Sequence, residues 1–221
     1  MFRQLIDALK RRPLLTQMFG EMEQMLESGA EMFHLIASAL TGKEPLSQAT
    51  HDRVYEIDHG INDLQRNIRK QLVEHLIMSP GTDVPISLVL MSIIKDAERV
   101  GDITKNLLDV AEAQGGAFPD GPYNTRLKDL LAEVEGLFEP TVQAFMTSDK
   151  QIGQRGLVEG QLLARRCDAV IDDLLEDDLP CRDAVLTTLT ARYLKRVSLH
   201  LTNISSSVVM PLHRIDYFDE S

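Results

Sequence analysis

Apolar and small residues recur every three or four positions along most of the chain, whereas the alternation typical of β-strands is almost absent. The clearest example is the series Ile94, Ala97, Gly101, Thr104 and Leu108. This spacing places the side chains on one face of an α-helix, where they can pack against a neighbour. The pattern therefore predicts an all-α protein.

Segments rich in proline and glycine divide this pattern into long blocks, and each block is expected to be one helix. The six predicted helices cover residues 14–40, 47–78, 86–113, 124–147, 150–177 and 182–210. Pro140 is expected to kink or split the fourth helix, because proline lacks an amide hydrogen and its ring clashes with the preceding turn. The passage 114–123 is rich in glycine and proline and separates the first three helices from the last three.

The two sets of three helices resemble each other in sequence. Residues 58–64 and 168–174 are identical at four of seven positions, and residues 98–106 and 195–203 share an arginine, a valine and an asparagine. We therefore expect a tandem repeat of two antiparallel three-helix bundles, each burying its apolar faces against its own neighbours. The predicted organisation is a first repeat over 14–113, a linker over 114–123, a second repeat over 124–210 and a C-terminal tail over 211–221.

The segment 1–13 that precedes the first repeat has an amphipathic pattern. Phe2, Leu5, Ile6 and Leu9 fall on one helical face, and three cations follow them. Such a segment either packs on the body of the protein or contacts a membrane surface or a partner protein. The pattern alone leaves both interpretations open.

Composition narrows the class of protein. The formal net charge of −11 argues against a nucleic-acid binder, which needs a basic surface. Cys167 and Cys181 form no CxxC pattern, which favours a reducing compartment and no cysteine-based metal site. No signal-peptide pattern opens the chain and no apolar run is long enough to span a bilayer. We therefore expect a cytoplasmic protein.

An acidic stripe runs beside the apolar face of the third predicted helix. Glu98, Asp102 and Asn106 are four residues apart, so their side chains stack on one side of a helix. Asp58 and Asn62 occupy the same kind of position on the second helix and would converge with them if the two helices are antiparallel neighbours. Carboxylate and amide oxygens are suited to magnesium, manganese or calcium, or to iron or zinc with oxygen ligands.

The same stripe has a simpler explanation. Lys95, Arg99 and Lys105 lie close in sequence and could pair with the acids in solvated salt bridges that contribute little stability. The spacing alone does not decide between a metal site and salt bridges.

The second repeat keeps only part of this pattern. Asp168 and Asp172 correspond to Asp58 and Asn62, but Lys195 and Leu199 stand where the first repeat has Glu98 and Asp102. A metal site in this half is therefore not expected. Its weak candidates are Asp168, Asp172 and Asn203, and His200 is expected to be a core or boundary residue.

Motifs for nucleophilic or nucleotide chemistry are missing from the sequence. It contains no GxSxG elbow, no P-loop and no HExxH pair, so we do not expect an enzyme. A metal-dependent enzyme built on a carboxylate bundle is one alternative, although no histidine accompanies the acids at Glu-x-x-His spacing. A purely structural helical adaptor is another.

Two motifs carry a resemblance to a known family. The run from Asp96 to Asp102 (DAERVGD), followed by Asn106, resembles the signature of the PhoU family. Asp58 with Ile61 and Leu64 resembles the companion motif on the preceding helix. The likeness extends over residues 14–210, since PhoU proteins are tandem three-helix bundles of this size.

This resemblance implies a regulator or accessory protein of phosphate transport and phosphate homeostasis. It implies partners in a phosphate transporter or permease and a sensor histidine kinase, contact with the cytoplasmic face of the membrane, and a homodimer. It also implies a metal cluster with Asp58, Glu98 and Asp102 as ligands and Asn62 and Asn106 as auxiliary groups. The departures at Lys195 and Leu199 suggest a divergent branch, such as the accessory proteins of low-affinity phosphate permeases.

Overall fold

The computed structural model describes residues 13–78, 81 and 83–215. The amphipathic segment predicted before the first repeat lies outside the described residues except for Pro13, as does most of the predicted tail. The described residues form seven α-helices and a short 3₁₀ helix, with no β-strand among them. The elements are α1 Pro13–Thr41, α2 Gln48–Met78, α3 Val84–Gln114, α4 Pro122–Glu135, α5 Phe138–Thr147, α6 Lys150–Leu175, α7 Cys181–Val209 and the 3₁₀ helix Leu212–Arg214.

The prediction of an all-α fold with six helical blocks is confirmed, and the fourth block is split as Pro140 predicts. Helix α4 ends at Glu135 and α5 begins at Phe138. In a continuous helix the Pro140 ring would clash with the carbonyl of Gly136, four residues earlier. The break at Gly136 removes that clash, and the two pieces together take the place of one long helix.

The ends of the helices are set by local chemistry. Asp149 caps α6, because its carboxylate accepts hydrogen bonds from the amides of Gln151 and Ile152 at 2.8 and 3.1 Å. Gly115 ends α3 with φ of +87°, a left-handed conformation that glycine adopts without strain. None of the described helices is apolar over a long enough stretch to cross a bilayer.

The two repeats share one hydrophobic core. Helices α1, α2 and α3 pack together, and α4 with α5, α6 and α7 form the second set. Helix α3 also packs along α7, and α1 packs against α4 and α5, so buried side chains of both sets are continuous. Phe19 stacks on Phe145 at 5.1 Å and Phe33 meets Phe138 at 5.5 Å across this boundary. Each bundle therefore packs its own helices together, as expected, and also buries apolar side chains against the other bundle.

Helices α6 and α7 approach each other through a row of glycines. A Cβ atom on Gly160 would lie 2.0 Å from the Thr202 hydroxyl and 3.2 Å from the Ser198 carbonyl oxygen. Gly153 and Gly156 face α7 in the same way, with nearest atoms at 2.9 Å. The missing side chains let two backbones pack closely and fix the position of α7 relative to the rest of the bundle.

Gly160→Ala is expected to destabilise the protein by about 1–3 kcal/mol, because the added methyl group forces α6 away from α7. Gly60→Ala on α2 is the matched control, since its methyl group would meet no neighbouring atom within 4 Å. That change is expected to stabilise the helix by about 0.5–1 kcal/mol. Urea unfolding followed by circular dichroism measures both, and equal effects of the same sign would contradict the packing described.

Candidate functional site

A lysine ammonium lies between the acidic side chains of α2 and α3. Lys105 Nζ donates a hydrogen bond to Asp58 Oδ2 at 2.6 Å and lies 3.8 Å from Asp102 Oδ1. Asp58 is buried, and its helix reaches α3 closely because Gly101 has no side chain. A Cβ atom there would lie 3.1 Å from Ile61 Cδ1. The predicted convergence of Asp58 with the acids of α3 is therefore present, with a cation at its centre.

A second cation faces the outer side of the stripe. Arg99 Nη1 donates to Asp102 Oδ2 at 3.0 Å, and Arg99 Nε lies 3.7 Å from Glu98 Oε2. The Glu98 side chain is only 17% exposed. The pKa of Glu98 is raised, mainly because the side chain is buried and also because the charge of Asp102 lies nearby. The positive charge of Arg99 lowers this pKa but does not cancel the rise. The negative charge of Glu98 is thus only partly compensated.

Lys105 is the principal cation of this cluster. Burial alone would lower the pKa of Lys105, but its hydrogen bond to Asp58 and the charges of Asp58 and Asp102 outweigh burial, so the pKa is raised. Its ammonium also lies 5.9 Å from the centre of the Tyr55 ring, within range of a cation–π interaction. The side chain is 27% exposed, so it has a path to solvent.

The donor atoms suit a cation, and in the structure Lys105 supplies it. One point, the Lys105 ammonium, lies within 4 Å of carboxylates from both helices. Within the described part of the chain, however, no three His, Cys, Asp or Glu side chains are grouped closely enough to hold a metal ion. Asn62 and Asn106 are half-buried on the same helices. Metal ligation by Asp58, Asn62, Glu98, Asp102 and Asn106 stays a prediction, and a metal ion would need the place that Lys105 fills.

The sequence suggested salt bridges between three cations and the acids of the stripe, and two of these cations form them. Arg99 and Lys105 pair with the acids as described, whereas Lys95 Nζ lies 3.3 Å from Asp96 Oδ2. Lys95 therefore contacts a carboxylate that is not part of the stripe.

The second repeat also pairs its aspartate with a lysine. Lys195 Nζ donates to both oxygens of Asp168, at 2.9 and 2.7 Å. Asp172 is exposed, and Leu199 offers no oxygen in the position of Asp102. Asn203, the third weak candidate, directs its amide to Asp96 of the first repeat instead. Metal ligation in this half also stays a prediction.

Asp96 is a buried carboxylate outside the predicted set of site residues. Its side chain has no exposed surface, and it joins the repeats: His200 Nδ1 lies 2.8 Å and Asn203 Nδ2 lies 3.2 Å from its Oδ1. The sequence contains a pattern that indicates the burial of Asp96, because this residue interrupts a second apolar series on α3. The other members of that series are buried: Ile93, Val100, Ile103 and Leu107. His200 is confirmed as a boundary residue.

Comparison with known proteins finds a domain match in the first repeat. The family model described as PhoU domain matches residues 22–111, which cover most of α1 and all of α2 and nearly all of α3. This match covers less than half of the chain, and it makes the first repeat similar to the PhoU domain. The matched region contains every member of the acidic stripe, and it ends before the second repeat, where Lys195 and Leu199 replace the acids.

Relatives extend the likeness beyond this PhoU domain. A "phosphate-specific transport system accessory protein PhoU homolog" of Synechocystis is 20% identical over 169 residues, 71% of this chain and 71% of that protein. PhoU from Pseudomonas aeruginosa has a TM-score of 0.69 at 20% identity, covering 94% of this chain and 97% of that chain. The phosphate transport system regulatory protein PhoU from Streptococcus pneumoniae has a TM-score of 0.71 at 15% identity, covering 91% and 94%. The PhoU fold therefore includes both repeats.

Asp96→Ala is expected to destabilise the protein by about 3 kcal/mol, because it leaves the half-buried His200 and the buried Asn203 without their carboxylate partner. The control is Asp63→Ala, which removes an exposed partner of Arg66 and should change stability by less than about 1 kcal/mol. Urea unfolding compares the two variants. If both variants lose less than about 1 kcal/mol of unfolding free energy, a structural role for the Asp96 contacts is contradicted.

Glu98→Gln is expected to leave the stability of the metal-free protein unchanged or slightly higher at neutral pH. Because the pKa of Glu98 is raised in the folded chain, the native state binds this proton more tightly than the unfolded state does. Stability is therefore lost as the pH rises through the folded-state pKa, and the advantage of glutamine should vanish below the ordinary value of 4.5. Thermal unfolding in EDTA at several pH values measures this, and a clear loss of stability at neutral pH would refute it.

Proposed function

We propose that this protein is a non-enzymatic regulator or accessory component of phosphate transport. The observation that carries the proposal is the PhoU-domain match over residues 22–111. The names of the relatives agree with it, since one is an accessory protein of a phosphate-specific transport system and another a phosphate transport system regulatory protein. The sequence offers no nucleophile or nucleotide motif that would favour a competing reaction.

The proposal includes a metal ion held by the first repeat. Asp58, Glu98 and Asp102 are its ligands, with Asn62 and Asn106 as auxiliary groups, and iron, zinc, manganese and magnesium suit such oxygen donors. The charge of Glu98 supports this, because burial and Asp102 raise its pKa, Arg99 compensates it only in part, and a metal ion would compensate it further. Such an ion would supply positive charge to the carboxylates of α2 and α3.

The protein acts by contact with other proteins at the cytoplasmic face of the membrane. We propose a phosphate transporter or permease and a sensor histidine kinase as partners, and a homodimer as the assembled form. Exposed apolar side chains near the end of α2 offer contact area, since Val73 and Ile77 lie one turn apart and are 50% and 73% exposed. Met78, which follows them, is 81% exposed.

In cells that lack the gene, phosphate uptake under phosphate-replete conditions should change, and the wild-type gene should restore it. The double variant Glu98→Ala/Asp102→Ala is expected to fail to restore uptake and to lose bound metal by about tenfold or more, because two of three carboxylate ligands are gone. Uptake of labelled phosphate and elemental analysis of the purified proteins are the measurements. Glu133→Gln, an exposed acid paired with Arg166 in the second repeat, is the control and should behave as wild type.

Two results would count against the proposal. Equal metal content in wild type and double variant removes the metal site, and normal phosphate uptake in cells without the gene removes the regulatory function. A structural adaptor is the second candidate, favoured by the salt bridges of Arg99 and Lys105. It is supported if the double variant restores uptake fully although neither protein holds metal.

A further inference from the structure

An apolar cleft lies at one end of the bundle, between the start of α3, the start of α6 and the end of α7. Its volume is about 340 Å³, and the described residues leave it open to solvent. Its lining includes the buried side chains of Ile86, Val89 and Val208, with the half-buried Met210 and the exposed Leu212 beside them. Because apolar surface is stabilised when it is removed from water, this cleft favours an apolar occupant.

Helix α1 begins at the same end of the bundle. Phe19, in the second turn of α1, stacks on Phe145 of α5 at 5.1 Å, and α5 ends soon afterwards at Thr147. Lys150, the first residue of α6, lines the cleft. Residues 1–12 therefore join the bundle at the end where the cleft lies.

The sequence of residues 1–12 suits such an apolar surface. Its apolar side chains share one helical face: Phe2, Leu5, Ile6 and Leu9. Polar side chains occupy the opposite face: Gln4, Asp7 and Arg11. The segment differs in this way from a uniformly polar extension, which would gain nothing from contact with the cleft.

The length of the segment is sufficient to reach the cleft. Twelve residues span about 18 Å as a helix and about 40 Å when extended, whereas the axes of packed helices are about 8–10 Å apart. Pro13 favours a change of direction before α1, because the residue before a proline is disfavoured in the helical conformation. The segment can therefore turn onto the end of the bundle instead of extending α1 into solvent.

We infer that residues 1–12 dock on this cleft as an amphipathic helix, with the face of Phe2, Leu5, Ile6 and Leu9 turned towards α3 and α7. Attachment to α1 gives the segment a high effective concentration at the cleft, so a modest contact area is enough to hold it. The docked segment bridges α3 and α7, which are the helices that carry the Asp96 contact between the repeats. A membrane surface is another environment that suits such a segment, and the tests below separate the two. The inference goes beyond the proposed function and does not depend on it.

The first test is cross-linking of cysteine pairs in the full-length chain. Cys181→Ser removes the exposed native thiol, whereas Cys167 is buried and its pKa is raised to about 12, so that thiol stays unreactive. In this background Leu5→Cys/Leu212→Cys is expected to be joined within one chain by a short bis-maleimide about tenfold faster than Asp7→Cys/Leu212→Cys, since only position 5 faces the cleft. Both pairs have the same tether, so the comparison measures orientation and not proximity along the chain.

The second test measures whether the cleft is covered. The dye ANS fluoresces on exposed apolar surface, and Leu5→Asp/Leu9→Asp should raise its fluorescence severalfold because the segment leaves the cleft. Gln4→Asp/Ala8→Asp is the matched control, since it adds the same two charges to the same segment outside the apolar face. The control should bind the dye as wild type does, and circular dichroism confirms that each variant is folded.

The outcomes are distinct. Equal cross-linking at positions 5 and 7 overturns the inference, and so does an ANS signal that is the same in Leu5→Asp/Leu9→Asp and in its control. Cross-links formed between two chains also overturn it, because a second copy then supplies the segment. If wild type binds vesicles of anionic phospholipid, Leu5→Asp/Leu9→Asp does not, and cross-linking is equal at both positions, the segment contacts a membrane instead. None of these results depends on phosphate uptake, which tests the proposed function separately.

Discussion

Helix α3 must pack on three neighbours at once, and most of the structure follows from that requirement. Helices α1 and α2 cover it within the first repeat, and α7 covers it from the second. Each of these contacts uses a separate row of buried side chains along α3, so only a narrow strip of its surface is left for polar side chains. Glu98, Asp102 and Lys105 occupy that strip, so the acidic cluster is held by a helix that has almost no freedom to move.

A buried carboxyl group fixes the contact between the repeats. Asp96 lies among apolar side chains of α3, where an ionised carboxylate is tolerated only with partners, and α7 supplies them through His200 and Asn203. Apolar faces alone accept small shifts of one helix along another, whereas this contact is satisfied in one register. The two halves are therefore one unit in packing, although their sequences repeat.

Local sequence patterns predicted what depends on a single helix. The apolar face of α3 and the break caused by Pro140 follow from spacing and from the chemistry of one residue. The contact of Asp96 with His200 could not be predicted, because His200 lies on α7, more than a hundred residues away. Spacing within α3 does not show which distant helix packs against it. The convergence of Asp58 with Asp102 was predicted, but the position of Lys105 between them depends on a rotamer that spacing does not fix.

The two repeats both pair an equivalent aspartate with a lysine, but the lysine comes from a different position in each repeat. An aspartate beside the apolar face of a packed helix favours a cation, and a lysine side chain reaches it in each half. In the second repeat Lys195 stands where the first repeat has Glu98, so the cation that pairs with Asp168 itself replaces one acid. In the first repeat Lys105 stands outside the acidic positions, so Asp58, Glu98 and Asp102 all remain. Only there do three acids remain beside the cation, and the negative charge of Glu98 is only partly compensated.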